Sequence, residues 1–154
     1  MIIELIAIVV SILLMAFVCG SQIGVGTVLT GLLDFPSLIG LLVLSLPILF
    51  RNGMWKDFVR GFKLLKKSYT CSLGELKRTQ DVIELLQKQI LYAAVIITAF
   101  SLIIVLGFLQ TPEVMGVNVA VALITVLYAA IMEMLLLPVH IEAKRRIIDY
   151  MEAE

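Results

Sequence analysis

Inside its apolar stretches this chain carries few side chains able to do chemistry. Thr98 and Ser101 lie in one stretch, Thr125, Tyr128 and Glu133 in another, and Asp34, Ser37 and His140 stand near the edges. A threonine hydroxyl donates and accepts, so it can hold water or a desolvated cation, but it cannot store a proton at neutral pH. Glu133 can. A carboxylate in hydrocarbon must be protonated, paired or turned to water. That leaves two readings for Glu133: a group that handles ions, or a structural or gating pair with Lys88 or Lys144 of a neighbour near the membrane edge. Thr98 and Thr125 have an equally plain alternative, a bond to the carbonyl four residues back. Asp34 and Ser37 read as interfacial caps of a helix that opens at Pro36, with an ion gate as the other reading of Asp34. Pro47 predicts a kink or early exit, and Pro138 either closes its stretch or frees a carbonyl as a soft joint.

Enzymatic and metal chemistry lack their usual kits. The single histidine has no HExxH or CxxC near it, so no ordinary zinc site is expected. There is no P-loop, nucleophile elbow or paired acidic motif, and a non-enzyme without a cofactor is the expectation. Cys19 is expected near the outer end of the first stretch and Cys71 in the cytoplasm, which argues against a disulfide between them.

The elements that position these residues are four apolar stretches, 2–19, 32–50, 90–109 and 117–137, in a chain of 154 residues with 61% hydrophobic residues and mean hydropathy +1.08. A soluble domain of this size needs more polar sequence for its shell. A helix of about 20 residues crosses a hydrocarbon core of about 30 Å. The expected fold is therefore all-α: one polytopic membrane domain over 1–154, with four transmembrane helices and short cytoplasmic helical extensions.

Net charge is zero, but the cations cluster. Arg51, Lys56, Arg60, Lys63, Lys66, Lys67, Lys77, Arg78 and Lys88 lie in the segment 51–88, and Lys144, Arg145 and Arg146 follow the last stretch. The connections near 20–36 and 110–116 have none, so both termini and 51–88 are expected in the cytoplasm. Reading the first stretch as a cleaved signal is disfavoured by its lack of a basic leading region. Acidic residues interleave with the basic cluster, which disfavours nucleic acid as a partner.

Within 51–88 the spacing predicts two helices. Trp55, Phe58, Val59, Phe62 and Leu65 form one face and Lys56, Arg60, Lys63 and Lys67 the other, a basic amphipathic helix suited to anionic lipid or a neighbouring subunit. After a break at 68–72, Ser72 and Glu75 have capping-box spacing, and Leu76, Val82, Ile83, Leu86, Gln89 and Ile90 continue one helix into the third stretch. The apolar run 25–29 is expected in or near the interface, and 111–116 as a tight outer turn before the fourth stretch.

Two strings carry a resemblance. The first is Gly116 to Lys144, with Ala120-Val121-Ala122-Leu123-Ile124-Thr125, then Leu127-Tyr128, then Leu137-Pro138; the second is Asp34-Phe35-Pro36-Ser37-Leu38-Ile39. In their order and spacing the chain resembles the MotA/TolQ/ExbB proton-channel family, and the flagellar stator branch most closely. The resemblance implies a homo-pentamer around a dimer of a single-span companion of the MotB, ExbD or TolR type in the bacterial inner membrane. H⁺ or Na⁺ flow past that companion would then drive rotation. It also implies that Thr98 and Thr125 face the ion route and that Pro138 matches the proline at the cytoplasmic end of the last span; Pro138, Pro47 and Tyr128 are the hinge or gating candidates. Ile97 stands where the family has a glycine, Leu91 near an expected proline, and Tyr128-Ala129 where it has Tyr-Gly. The cytoplasmic insert, about 38 residues, is much shorter than in the stator branch. Two other readings remain: a channel or transporter that works without a companion, with Glu133 as its titrating group, and a membrane scaffold without conductance.

Overall fold

The computed structural model describes residues 2–24, 32–51, 53–66, 69–107 and 112–152. Among them every regular element is helical: α1 (Ile2–Ile23), α2 (Phe35–Ser45), α3 (Pro47–Arg51), α4 (Trp55–Leu64), α5 (Leu73–Gly107) and α6 (Pro112–Glu152). The expected interfacial run 25–29, the tip of the outer turn at 108–111, and Lys67 lie outside the described residues.

α5 and α6 dominate. They have 35 and 41 residues, about 50 and 60 Å at 1.5 Å per residue, far longer than a bilayer core needs. The capping box starts α5 as its spacing predicts: the Ser72 N–H donates to Glu75 Oε2 at 3.1 Å and the Glu75 N–H to Ser72 Oγ at 3.4 Å. Leu76, Val82, Ile83, Leu86 and Ile90 are buried along one face, so a single helix does run from the polar central segment into the third stretch.

Two boundaries of the fourth stretch differ from expectation. Pro112 opens α6, because an imide lacking N–H fits the first turn, and the outer turn is correspondingly shorter than 111–116. Pro138 does not end the helix, and the residues beyond it are no irregular tail. α6 continues through it to Glu152, because Val139, Ala143 and Ile147 bury against other elements and hold the last turns helical.

Pro47 does interrupt the second stretch: α2 stops at Ser45 and α3 restarts at Pro47. The chain then folds back by 102° into α4. Among the described residues two helices are long and apolar enough to cross a membrane, and a third is added when this bent pair is taken as one span. The protein is thus an all-α, multi-pass membrane protein. Its surface agrees: Leu13, Phe17, Phe35, Phe100, Ile103, Leu106, Val117 and Leu123 all face outward, a pattern only lipid or other protein can cover.

α5 and α6 pack antiparallel through small residues. Ala93, Ala94, Ala122 and Ala129 are all buried, which lets the two backbones approach where no aqueous hydrophobic drive exists. α2 leans on this hairpin through Leu41, and α4 crosses its polar half at Gly61. A Cβ at Gly61 would lie 2.8 Å from Ile83 Cδ1 and 2.9 Å from Val139 Cγ1, so only glycine permits that approach. Beyond it, Leu64, Leu76, Ala143 and Ile147 form a second small core.

Candidate functional site

The intramembrane polar residues gather along the α5–α6 seam. The Thr98 hydroxyl crosses to the Ala122 carbonyl at 3.4 Å. Gln87 of α5 stands beside Glu133 of α6. Both pairs fit one antiparallel register. They place Thr125, one turn after Ala122, close to the depth of Thr98. Thr125 is only 1% exposed, and its hydroxyl turns back to the Val121 carbonyl at 3.5 Å. Its hydroxyl is thus used within the chain's own helix packing. Glu133 is half-buried, and Lys88 of the same chain pairs its ammonium with Glu84 at 2.7 Å.

Tyr128 has a definite task. Its hydroxyl donates to the Leu32 carbonyl and accepts the Asp34 N–H at 2.9 Å, tying the entry of α2 to α6. Sequence reading marked Tyr128 as a gating residue but carried no signal for this partner, which lies 94 residues away. Asp34 occupies the N-cap position of α2 with extended backbone, but its side chain makes no capping bond. The expected cap is absent: the Leu38 N–H goes to the Asp34 main-chain carbonyl at 3.2 Å instead, and Pro36 in the first turn offers no N–H. Ser37 is buried inside the first turn of α2, past the cap position.

Gln89 answers the break at Pro47. A proline there removes one donor, and the end of α2 leaves carbonyls exposed. The Gln89 side-chain amide donates to the Leu44 carbonyl at 3.2 Å. Pro138 is buried within α6, and its missing N–H deprives the Met134 carbonyl of its usual donor. Among the described residues, Asp34 Oδ2, Ser45 Oγ and His140 Nδ1 are buried polar atoms without a hydrogen-bond partner. An apolar cavity of about 260 Å³ lined by Ser45, Phe58, Leu86, Ile90 and Met132 separates α2 and α4 from the hairpin.

The polar half of the hairpin forms a clasp around α4. Arg146 bonds Glu142 at 2.8 Å and donates to the carbonyls of Leu64 at 2.7 Å, Lys66 at 3.1 Å and Tyr69. One guanidinium so satisfies the carbonyls at the end of α4, using the forked donor geometry that lysine lacks. The Tyr150 hydroxyl adds a bond to the Cys71 carbonyl at 2.9 Å. Of the four basic residues assigned to a lipid-facing stripe, Lys56 and Lys63 are exposed. Arg60 turns inward to Asp57 and to Glu75, the latter at 3.2 Å. Burial opposes the Arg60 charge, yet Asp57 and then Glu75 hold its pKa above the ordinary value. Glu75 is held below the ordinary carboxylate range, first by the Ser72 backbone N–H and then by Arg60. Burial pushes the Cys71 thiol up, so this free cysteine is a poor nucleophile.

Among the described residues no three His, Cys, Asp or Glu side chains converge as a metal site. The chain matches no protein-family model, no curated protein and no solved structure.

Proposed function

We propose that this protein is the ion-conducting subunit of a proton- or sodium-driven complex of the MotA/TolQ/ExbB kind, one that turns ion flow into rotation or other mechanical work. In this reading α1 and the α2–α3 segment complete four crossings, with both termini and α4 in the cytoplasm of a bacterial inner membrane. Five copies surround two copies of a single-span companion. Moving one charge through 100 mV supplies about 2.3 kcal/mol, enough to bias one conformational step.

The observation that carries this reading is the continuity of α5 and α6 from apolar stretch to cytoplasmic clasp. A displacement of the seam near Thr98 and Thr125 travels along two unbroken helices to α4, which Arg146 and Gly61 lock onto them. A simple pore has no use for such levers; a machine that exports motion does. Pro138 lies between the two ends, buried, with one helical carbonyl released.

The experiment is gentle purification, subunit counting and identification of whatever co-purifies, followed by flux measurement in vesicles. A five-fold ring with a two-copy, single-span companion and ion-dependent flux is the expected result. A chain that stays monomeric and conducts alone would replace this reading with a self-sufficient channel. A chain that never conducts with any companion would leave a scaffold.

A further inference from the structure

The chain enters α2 through Leu32, Leu33 and Asp34, and α6 fixes where that entry sits. Tyr128, whose hydroxyl holds the Leu32 carbonyl and the Asp34 N–H, is the twelfth residue of the apolar stretch 117–137. At 1.5 Å per residue it lies roughly 16 Å into that stretch. The Asp34 backbone is thus tied to a residue about midway along that apolar stretch.

Its carboxyl group has no structural task there. Oδ2 is buried without a hydrogen-bond partner, and the side chain caps nothing. The groups facing it from each neighbour are few. α6 brings the neutral Tyr128 hydroxyl, already engaged with the backbone. α2 has no titratable residue, the described side chains of α1 have none, and the membrane part of α5 has only Tyr92, which faces outward. Glu133 lies further along α6, beside Gln87. No Lys, Arg or His pairs with Asp34 among the described residues. A carboxylate oxygen in hydrocarbon without a donor is satisfied in two ways: it binds a proton, or it binds a cation that has shed water.

We propose that Asp34 is an ion-accepting site of this chain, taking up one H⁺ or one desolvated monovalent cation at its free carboxylate oxygen, with Tyr128 as the positioning residue that ties its backbone to α6. Uptake of a proton forms one O–H bond and its release returns the proton to water, so no co-reactant is consumed. The inference rests on the ion-conducting reading and deepens it, since it places a titrating group on this chain in addition to any on a companion.

The test uses the full-length protein in lipid nanodiscs, with dicyclohexylcarbodiimide as the probe, because this reagent modifies protonated carboxyl groups in apolar surroundings. Peptide mass spectrometry locates the adduct. The expected result is modification at Asp34 that falls several-fold as pH rises, is absent in Asp34→Asn and persists in Asp34→Glu. Protection by Na⁺ but not by K⁺ identifies a sodium site, and protection by high pH alone identifies a proton site. An Asp34 that stays unmodified at every pH while Glu133 reacts overturns the proposal, as does Asp34→Asn with wild-type flux. The two readings separate cleanly: flux without Asp34 modification removes the site and keeps the machine. Modification of Asp34 in a protein that never conducts keeps the site and removes the machine.

Discussion

Tyr128 shows how much one hydroxyl can organise. Tyr128→Phe leaves the Leu32 carbonyl and the Asp34 N–H without their partner, a loss of about 1–3 kcal/mol. Thermal unfolding in detergent should register it as a lower midpoint. Arg146 is the corresponding linchpin outside the membrane. Arg146→Ala removes donors from three carbonyls and should destabilise the clasp by about 2–4 kcal/mol, with Arg146→Lys recovering only part. Protease susceptibility between α4 and α5 would report it. Glu75 predicts a pH effect of definite sign. Its folded-state pKa is depressed, so its stabilising contribution is present above the ordinary glutamate value of about 4.3 and is lost as pH falls through the lower folded value. The only tryptophan, Trp55, stacks on Phe50 at 5.0 Å and provides the signal. Its fluorescence should change on acidification below that range, and Glu75→Gln should show the acid form at neutral pH.

At the scale of elements, α4 matters most. It is short, it carries charge on one side, and nothing covalent keeps it on the hairpin. Its seat depends on Gly61, where any side chain meets Ile83 and Val139. Alanine there asks two methyl groups to yield, while Gly61→Leu has no room at all. Overpacking of this kind costs about 1–3 kcal/mol. Gly61→Leu should detach α4 while leaving α5 and α6 helical, seen as greater Trp55 quenching by added iodide with an unchanged far-ultraviolet dichroism signal. The break at Pro47 was legible from proline chemistry alone. Its repair by Gln89 was not, because a side-chain amide 45 residues away leaves no local pattern.

For the whole molecule, the seam between α5 and α6 is where the proposed function succeeds or fails. Thr98→Val combined with Thr125→Val preserves volume and shape while deleting both hydroxyls. Since each accepting carbonyl belongs to a helix already bonded along its length, folding should be nearly unchanged. If the seam conducts ions, flux of the assembled complex should fall about tenfold or more, the equivalent of about 1.4 kcal/mol at the barrier. Wild-type flux in the double variant would take both residues out of the ion route. Five-fold assembly is tested by the same preparation, since mass measurement of the variant shows whether the hydroxyls also serve association.

By itself the sequence determined that this chain is helical and lies in a membrane. Apolar runs of spanning length, cations gathered in 51–88, the Ser72–Glu75 box and Pro47 act through local backbone and solvation physics, and local physics is written in neighbouring residues. The tertiary structure alone decided that α6 passes through Pro138, that Arg60 faces Glu75, and that Tyr128 ties the Asp34 backbone to α6 while one Asp34 carboxylate oxygen is left without a partner. Those outcomes depend on which faces meet when distant helices pack, and a helix seen alone presents every face to its solvent equally.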